Sequence, residues 1–110
     1  MEEILAKADE LAKAIRSSAV FKKFMAAQES LNNDEATKKL MQDVEEHRRK
    51  IAEKEKNQQP IEVAEKRQQQ QLHEQMQSNK LVQNLLRAEA DLALLMSKVN
   101  AAIESVFQVK

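Results

Sequence analysis

Two histidines, His47 and His73, are the residues of this chain whose type and position could hold a metal ion. If their segments form a helical hairpin that turns near Pro60, the two imidazoles come to the same level of the hairpin. Asp43 lies one helical turn before His47, and two histidines with a carboxylate can ligate zinc or iron. The simpler interpretation is a pair of solvent-facing histidines, since a small shift of one helix separates the rings. We therefore expect no metal and no other cofactor, with His47, His73 and Asp43 as the candidate ligands if a metal is bound.

A basic cluster, Arg48-Arg49-Lys50, could contact phosphates together with Arg67 and make the chain an RNA-binding regulator. Glutamates at positions 45, 46, 53 and 55 surround the cluster and offset its field. No aromatic residue lies near it to stack on bases. A solvated helix face is therefore the favoured interpretation, and nucleic-acid binding is the alternative.

The sequence offers few groups for catalysis. Most of its serines fall at predicted helix starts or in the last helix. The chain has no glycine, the residue that a nucleophile elbow or a phosphate-binding loop requires. It also has no cysteine, which excludes disulfides, thiolate metal sites and cysteine nucleophiles. We expect a protein that is not an enzyme.

The composition predicts an all-α protein. Ala, Leu, Glu, Lys, Gln and Met dominate, and these are good helix formers. A sheet protein of 110 residues would need turn glycines and β-branched or aromatic runs. Lys and Arg balance Asp and Glu, 18 against 18, so no global field steers the chain to nucleic acid or an anionic membrane. Without a signal-peptide pattern or a membrane-length apolar run, we expect a cytoplasmic protein that does not insert into membranes.

Apolar residues at helical spacing predict a first helix over 3–16 and, after an N-cap at Ser17 or Ser18, a short second helix. Asn32 and Glu35 imitate a capping box that opens a third helix. The apolar stripe of this third helix thins toward its end.

Pro60 is the strongest break in the chain, because proline disfavours helix at the preceding residue and suits the first turn of a new helix. The chain is expected to turn there and to begin a polar, glutamine-rich fourth helix at about Ile61. An antiparallel hairpin of the third and fourth helices places Val44 opposite Met76. The hairpin is therefore predicted to be apolar at its base and polar at its tip.

The longest and most apolar segment runs from Lys80 to about Gln108, after a predicted cap at Ser78 and Asn79. Its apolar residues occupy more than one face, which is expected of a helix with neighbours on two sides. We predict that it is the central helix of an antiparallel bundle of about five helices.

We expect one domain over residues 1–110, with a core from 3–44 and 78–108 and a projecting polar hairpin over about 45–77. The chain is short, and few apolar residues lie along the contact between its third and fourth helices. It therefore has little core of its own. We therefore predict a homodimer or a higher homo-oligomer. The residues expected to form the core and the self-association surface are Leu11, Ile15, Phe21, Phe24, Leu40, Val44, Leu85, Leu92, Met96 and Ile103.

Hydrophobic residues at set spacings, together with a few polar residues, form a recognisable pattern in the first and last parts of the chain. The first part reads Ile4-x-x-Lys7-Ala8-x-x-Leu11-Ala12-x-x-Ile15, followed by Ser18, Phe21, Phe24, Ala27 and Asp34. After the glutamine-rich segment come Asn79-x-x-Val82-x-x-Leu85-x-Arg87-Ala88-Glu89, Leu92-x-x-Leu95-Met96 and Ile103. In this pattern the chain resembles the bacterial YlbF/YmcA family, which includes YheA-like members, over nearly its whole length.

The resemblance implies an elongated antiparallel helical protein that forms dimers or higher oligomers and has a regulatory, non-enzymatic role. Some members act in a complex that modulates the membrane-bound ribonuclease RNase Y, and so affect mRNA processing, competence, sporulation and biofilm formation. Some regulatory members carry cysteines associated with iron–sulfur clusters, whereas this chain has none. We therefore predict an adaptor that holds other proteins of a regulatory complex. The alternatives are an RNA-binding regulator, a structural protein of unknown function, and a metal-dependent enzyme at the two histidines.

Overall fold

Helices account for nearly all of residues 1–108, the part of the chain that this computed structural model describes. The last two residues of the predicted domain lie outside it. The helices are α1 (Glu2–Ser17), α2 (Ala19–Asn32), α3 (Glu35–Lys56), α4 (Val63–Ser78) and α5 (Lys80–Glu104), followed by a 3₁₀ turn (Ser105–Phe107). No strand occurs within these residues. The predicted all-α class with five helices is confirmed.

The first two interhelical breaks are set by side-chain caps. The Ser18 hydroxyl accepts a hydrogen bond from the Phe21 N–H at 3.2 Å, which confirms the serine N-cap of α2. The cap of α3 is Asp34, whose carboxylate accepts from the Thr37 N–H at 3.2 Å. The predicted capping box at Asn32 is wrong, because α2 continues through that residue.

The turn between α3 and α4 follows from the end of α3. Gln58 has a positive φ of 57°, and the N–H of Gln59 bonds back to the carbonyl of Lys54 at 2.8 Å. This is a Schellman ending, in which a left-handed residue satisfies the last carbonyls of a helix. Pro60 then prevents the helix from continuing. The fourth helix begins at Val63, slightly later than predicted, because Glu62 is its N-cap.

The start of α5 is fixed by Asn79, as the sequence predicts. Its side-chain oxygen accepts from the N–H groups of Leu81 and Val82 at 2.9 and 3.1 Å. At the other end α5 stops at Glu104, and the rest of the predicted segment is the 3₁₀ turn.

The chain divides into two units. One unit, here the terminal unit, consists of Met1–Gln28 and the described residues from Leu85 onward. The other, here the hairpin unit, runs from Glu29 to Asn84 and therefore extends beyond the predicted 45–77 segment on both sides. Within the hairpin unit α3 and α4 pack against each other, which confirms the predicted helical hairpin.

Burial differs between the two units. Leu31, Thr37, His47 and Val82 are buried in the hairpin unit. In the described part of the terminal unit, Ala88 alone is buried. The hairpin unit thus has a small interior of its own, whereas the apolar side chains of the terminal unit remain largely in contact with solvent.

Candidate functional site

A groove runs between α3 and α4 in the hairpin unit, with a volume of about 680 Å³. Its apolar lining consists of Val44, Ile51, Leu72 and Met76, all half-buried. Val44 and Met76 line it together, as the predicted antiparallel alignment requires. The polar lining residues are His47, Arg48, Lys66, Gln69, Gln70 and His73. The volume is within the range of ligand-binding clefts, and two adjacent helices also form the usual groove for a third helix.

The two histidines weighed as metal ligands both line this groove, but they lie in different environments. His47 is 6% exposed, and its Nε2 is buried without a hydrogen-bond partner. His73 is exposed. Asp43 is not among the residues that line the groove. Within residues 1–108, no three or more His, Cys, Asp or Glu side chains are grouped so that they could hold a metal ion.

The tip of the hairpin is closed by an ion pair that no motif in the sequence indicates. The Lys54 ammonium donates to the Glu65 carboxylate, and both side chains are largely shielded from solvent. The same carboxylate accepts from the N–H of Glu62 at 2.9 Å. The hydrogen bond from Lys54, followed by that from the Glu62 N–H, lowers the pKa of Glu65. Burial opposes this to a lesser extent, and the electrostatic effects of Lys54 and His47 lower the pKa further. The pair joins the end of α3 to the first turn of α4.

The basic cluster at 48–50 is partly neutralised by Glu45. Arg48 donates to the Glu45 carboxylate at 2.9 Å, and the Arg49 guanidinium lies 3.7 Å from it. All these side chains are at the surface, where such pairs are weak. The local glutamate therefore competes with any phosphate for these arginines, and RNA binding by the cluster stays the alternative hypothesis.

The base of the hairpin unit contains a polar network that was not predicted from the sequence. Thr37 is only 1% exposed, and its hydroxyl donates to the Asp34 carboxylate. The side-chain amide of Asn79 donates to the Thr37 hydroxyl at 2.9 Å. Because Asp34 caps α3 and Asn79 caps α5, one buried hydroxyl connects the starting points of two helices. Thr37 and Asn79 are 42 positions apart, so the sequence gives no local signal of this contact.

The residues predicted to form the core and the self-association surface are not buried within one chain. Seven are half-buried, namely Ile15, Phe21, Phe24, Leu40, Val44, Leu85 and Leu92. Leu11, Met96 and Ile103 are exposed. Phe21 and Phe24 form a tilted aromatic pair with ring centroids 6.4 Å apart. Their role in self-association stays a prediction.

The terminal unit presents large apolar side chains to solvent. Ile4 and Leu5 of α1 are 73% and 58% exposed. On α5, Leu86 and Leu94 are 48% and 56% exposed, and their spacing places them on one side of the helix with Ala90 and Ala93. Exposed apolar patches mark protein or membrane interaction sites or ligand-binding grooves.

Comparison with known proteins gives a family and a fold. The sequence profile described as control of competence regulator ComK, YlbF/YmcA, matches residues 4–106. The crystal structure of Bacillus subtilis RicA in complex with RicF contains a similar chain, with a TM-score of 0.84 and 18% identity over 94% of this chain and 93% of that one. A protein of unknown function (DUF964) from Bacillus stearothermophilus has a TM-score of 0.69 and 23% identity, covering 96% of each chain. No protein of curated function matches.

At these identities the two solved structures establish a shared helical fold. The described helices include none with the length and apolar character needed to cross a bilayer.

Proposed function

The chain belongs to the YlbF/YmcA family, and on that premise we propose that it is a non-enzymatic regulatory adaptor acting through helix-mediated self-association and contacts with other proteins. The observation that carries this proposal is the exposed apolar surface of the terminal unit. α1 has no buried residue at all, although it is amphipathic. Burying one large apolar side chain contributes about 1.5–3 kcal/mol, so covering these helices with another chain is strongly favoured.

The size of the exposed surface supports a protein partner over a small ligand. A stable interface buries roughly 1,200–2,000 Å² in total, which requires several helices from each chain. Large apolar side chains are exposed on both α1 and α5, so more than one helix of the chain can contribute to such an interface. We infer that two copies of the chain form a homodimer through these faces, or that one copy associates with another helical protein.

The comparisons support an adaptor role in two ways. The family is named for control of the competence regulator ComK. The similar RicA chain was crystallised in complex with another protein, RicF. We extend this to a cytoplasmic regulatory complex, with RNase Y-dependent mRNA processing, sporulation and biofilm formation as the processes to test. A thiolate-bound cluster has no part in the proposal, because the chain lacks cysteine.

Replacing Leu86 and Leu94 together with glutamate tests the self-association. We expect the dimer dissociation constant to rise by roughly 30-fold for each side chain that acts as an anchor, which corresponds to about 2 kcal/mol. Sedimentation velocity over a concentration series measures this change directly.

Lys38→Glu is the matched control. Lys38 is exposed on α3, outside the α5 surface, and the substitution lowers the net charge by two, as two Leu→Glu substitutions do. An unchanged dissociation constant in the double variant would refute the α5 surface, and equal weakening by both variants would assign the effect to charge. Recovery of RNase Y with the tagged native chain from its host, and its loss with the double variant, would support the regulatory assignment.

A further inference from the structure

The groove between α3 and α4 has an electrostatic character that the chain as a whole lacks. Its charged lining residues are Arg48 and Lys66, and none of the residues that line it is acidic. Arg48 already pairs with Glu45 beside the groove. Lys66 has no carboxylate within ion-pair distance among the described residues. The groove therefore favours an apolar occupant that carries acidic groups.

The length of the groove fits a short helical segment. Its apolar lining on α3 runs from Val44 to Ile51, a rise of about 10.5 Å along a helix. Leu72 and Met76 form the opposite wall on α4. A helix that binds in such a groove uses anchors at positions i, i+4 and i+7, which span the same distance.

The first half of α1 has matching properties. Ile4, Ala8 and Leu11 lie at positions i, i+4 and i+7, and every residue from Met1 to Leu11 is exposed. The flanking residues are predominantly acidic: Glu2, Glu3, Asp9 and Glu10 against the single lysine Lys7. This segment thus combines an uncovered apolar stripe with a charge opposite to that of the groove.

We propose that the first half of α1 from a second copy of the chain docks in the groove between α3 and α4. Ile4, Ala8 and Leu11 lie along the apolar lining, and the acidic flank faces Lys66. A two-fold dimer makes the contact twice, because each chain supplies one helix and one groove. This inference rests on the proposed self-association and specifies one of its contact surfaces.

Directed disulfide formation tests the docking, since the chain contains no cysteine of its own. Protein carrying Ala8→Cys is mixed with protein carrying His73→Cys, and the pair is oxidised under mild conditions. Both positions are exposed, so the substitutions are compatible with folding. We expect a disulfide-linked pair of one chain of each kind.

Gln71→Cys is the matched control for His73→Cys. It is exposed on the same helix but does not line the groove. Equal cross-linking of Ala8→Cys protein to both partners would reveal random collision and overturn the docking. A dimer that sediments normally but gives no Ala8–His73 cross-link would also overturn it, leaving the groove to a helix of another protein and the proposed self-association intact. A chain that stays monomeric would refute both.

A charge reversal provides a second readout. Lys66→Glu is expected to weaken dimerisation by about 3-fold, the effect of losing one surface ion pair, with a further loss from repulsion. The neighbouring Arg67 does not line the groove, and Arg67→Glu, with the same charge change, is expected to have a smaller effect. Equal effects of the two variants would contradict the assignment of the acidic flank to this groove.

Discussion

The network around Thr37 is predicted to act as one coupled unit that fixes the starts of α3 and α5. Thr37→Val keeps the shape of the side chain but removes the hydroxyl that accepts from Asn79. The Asn79 amide then loses its acceptor in a half-buried position. Leaving a buried donor unpaired costs about 1–3 kcal/mol, so we expect the free energy of unfolding to fall by about 2 kcal/mol.

Asn79→Ser separates this effect from helix capping. Serine still caps α5 but has no amide to donate to Thr37. The single variant is expected to lose about 1 kcal/mol, which is the net value of one hydrogen bond. The two single variants lose the same hydrogen bond, which the double variant loses only once, so its loss should be about 2 kcal/mol and not the sum of about 3.

Urea denaturation of the four proteins measures this coupling of about 1 kcal/mol. The protein concentration must be the same throughout, because association contributes to apparent stability. Additivity within about 0.4 kcal/mol would show that Thr37 and Asn79 contribute independently, since independent sites behave in that way.

Two further substitutions test the tip of the hairpin. Because folding lowers the pKa of Glu65, the ionised carboxylate stabilises the folded state. This contribution is fully present above the ordinary glutamate pKa and is lost as pH falls through the lowered value. Lys54→Met is expected to return the pKa of Glu65 toward its ordinary range, and an unchanged carboxyl titration by NMR would contradict the ion pair. Gln58 has a positive φ, which is strained for a residue with a Cβ atom. Gln58→Gly removes this strain and is expected to raise the free energy of unfolding by about 0.5–1 kcal/mol. Gln58→Ala should give no such gain, and a gain of equal size with alanine would exclude this explanation.

Features that depend on neighbouring residues were predictable from the sequence. The caps at Ser18 and Asn79 follow from residue type and from the apolar stripes that begin after them. Pro60 marks the turn correctly, and the constant rise of two antiparallel helices then places Val44 and Met76 in one groove. These contacts need only helix geometry and the position of one break.

Features that depend on distant polar pairs were not predictable. Lys54 and Glu65 are ordinary surface residues by type, and their pairing depends on the exact path of the turn. Thr37 occupies the most buried polar position because Asn79 reaches it from another helix. The capping box at Asn32 failed because Asp34, nearer the start of α3, competes for the same role.

Hydrogen exchange of α1 is the direct test of whether partner chains cover the exposed helices. An isolated helix of this length is marginal in water, so its amides should exchange rapidly in the monomer. We predict that the protection of residues 5–11 rises with protein concentration and follows the fraction of dimer measured by sedimentation. Strong protection of these amides that does not change with concentration, in samples shown to be monomeric, would show that α1 is stable without a partner chain.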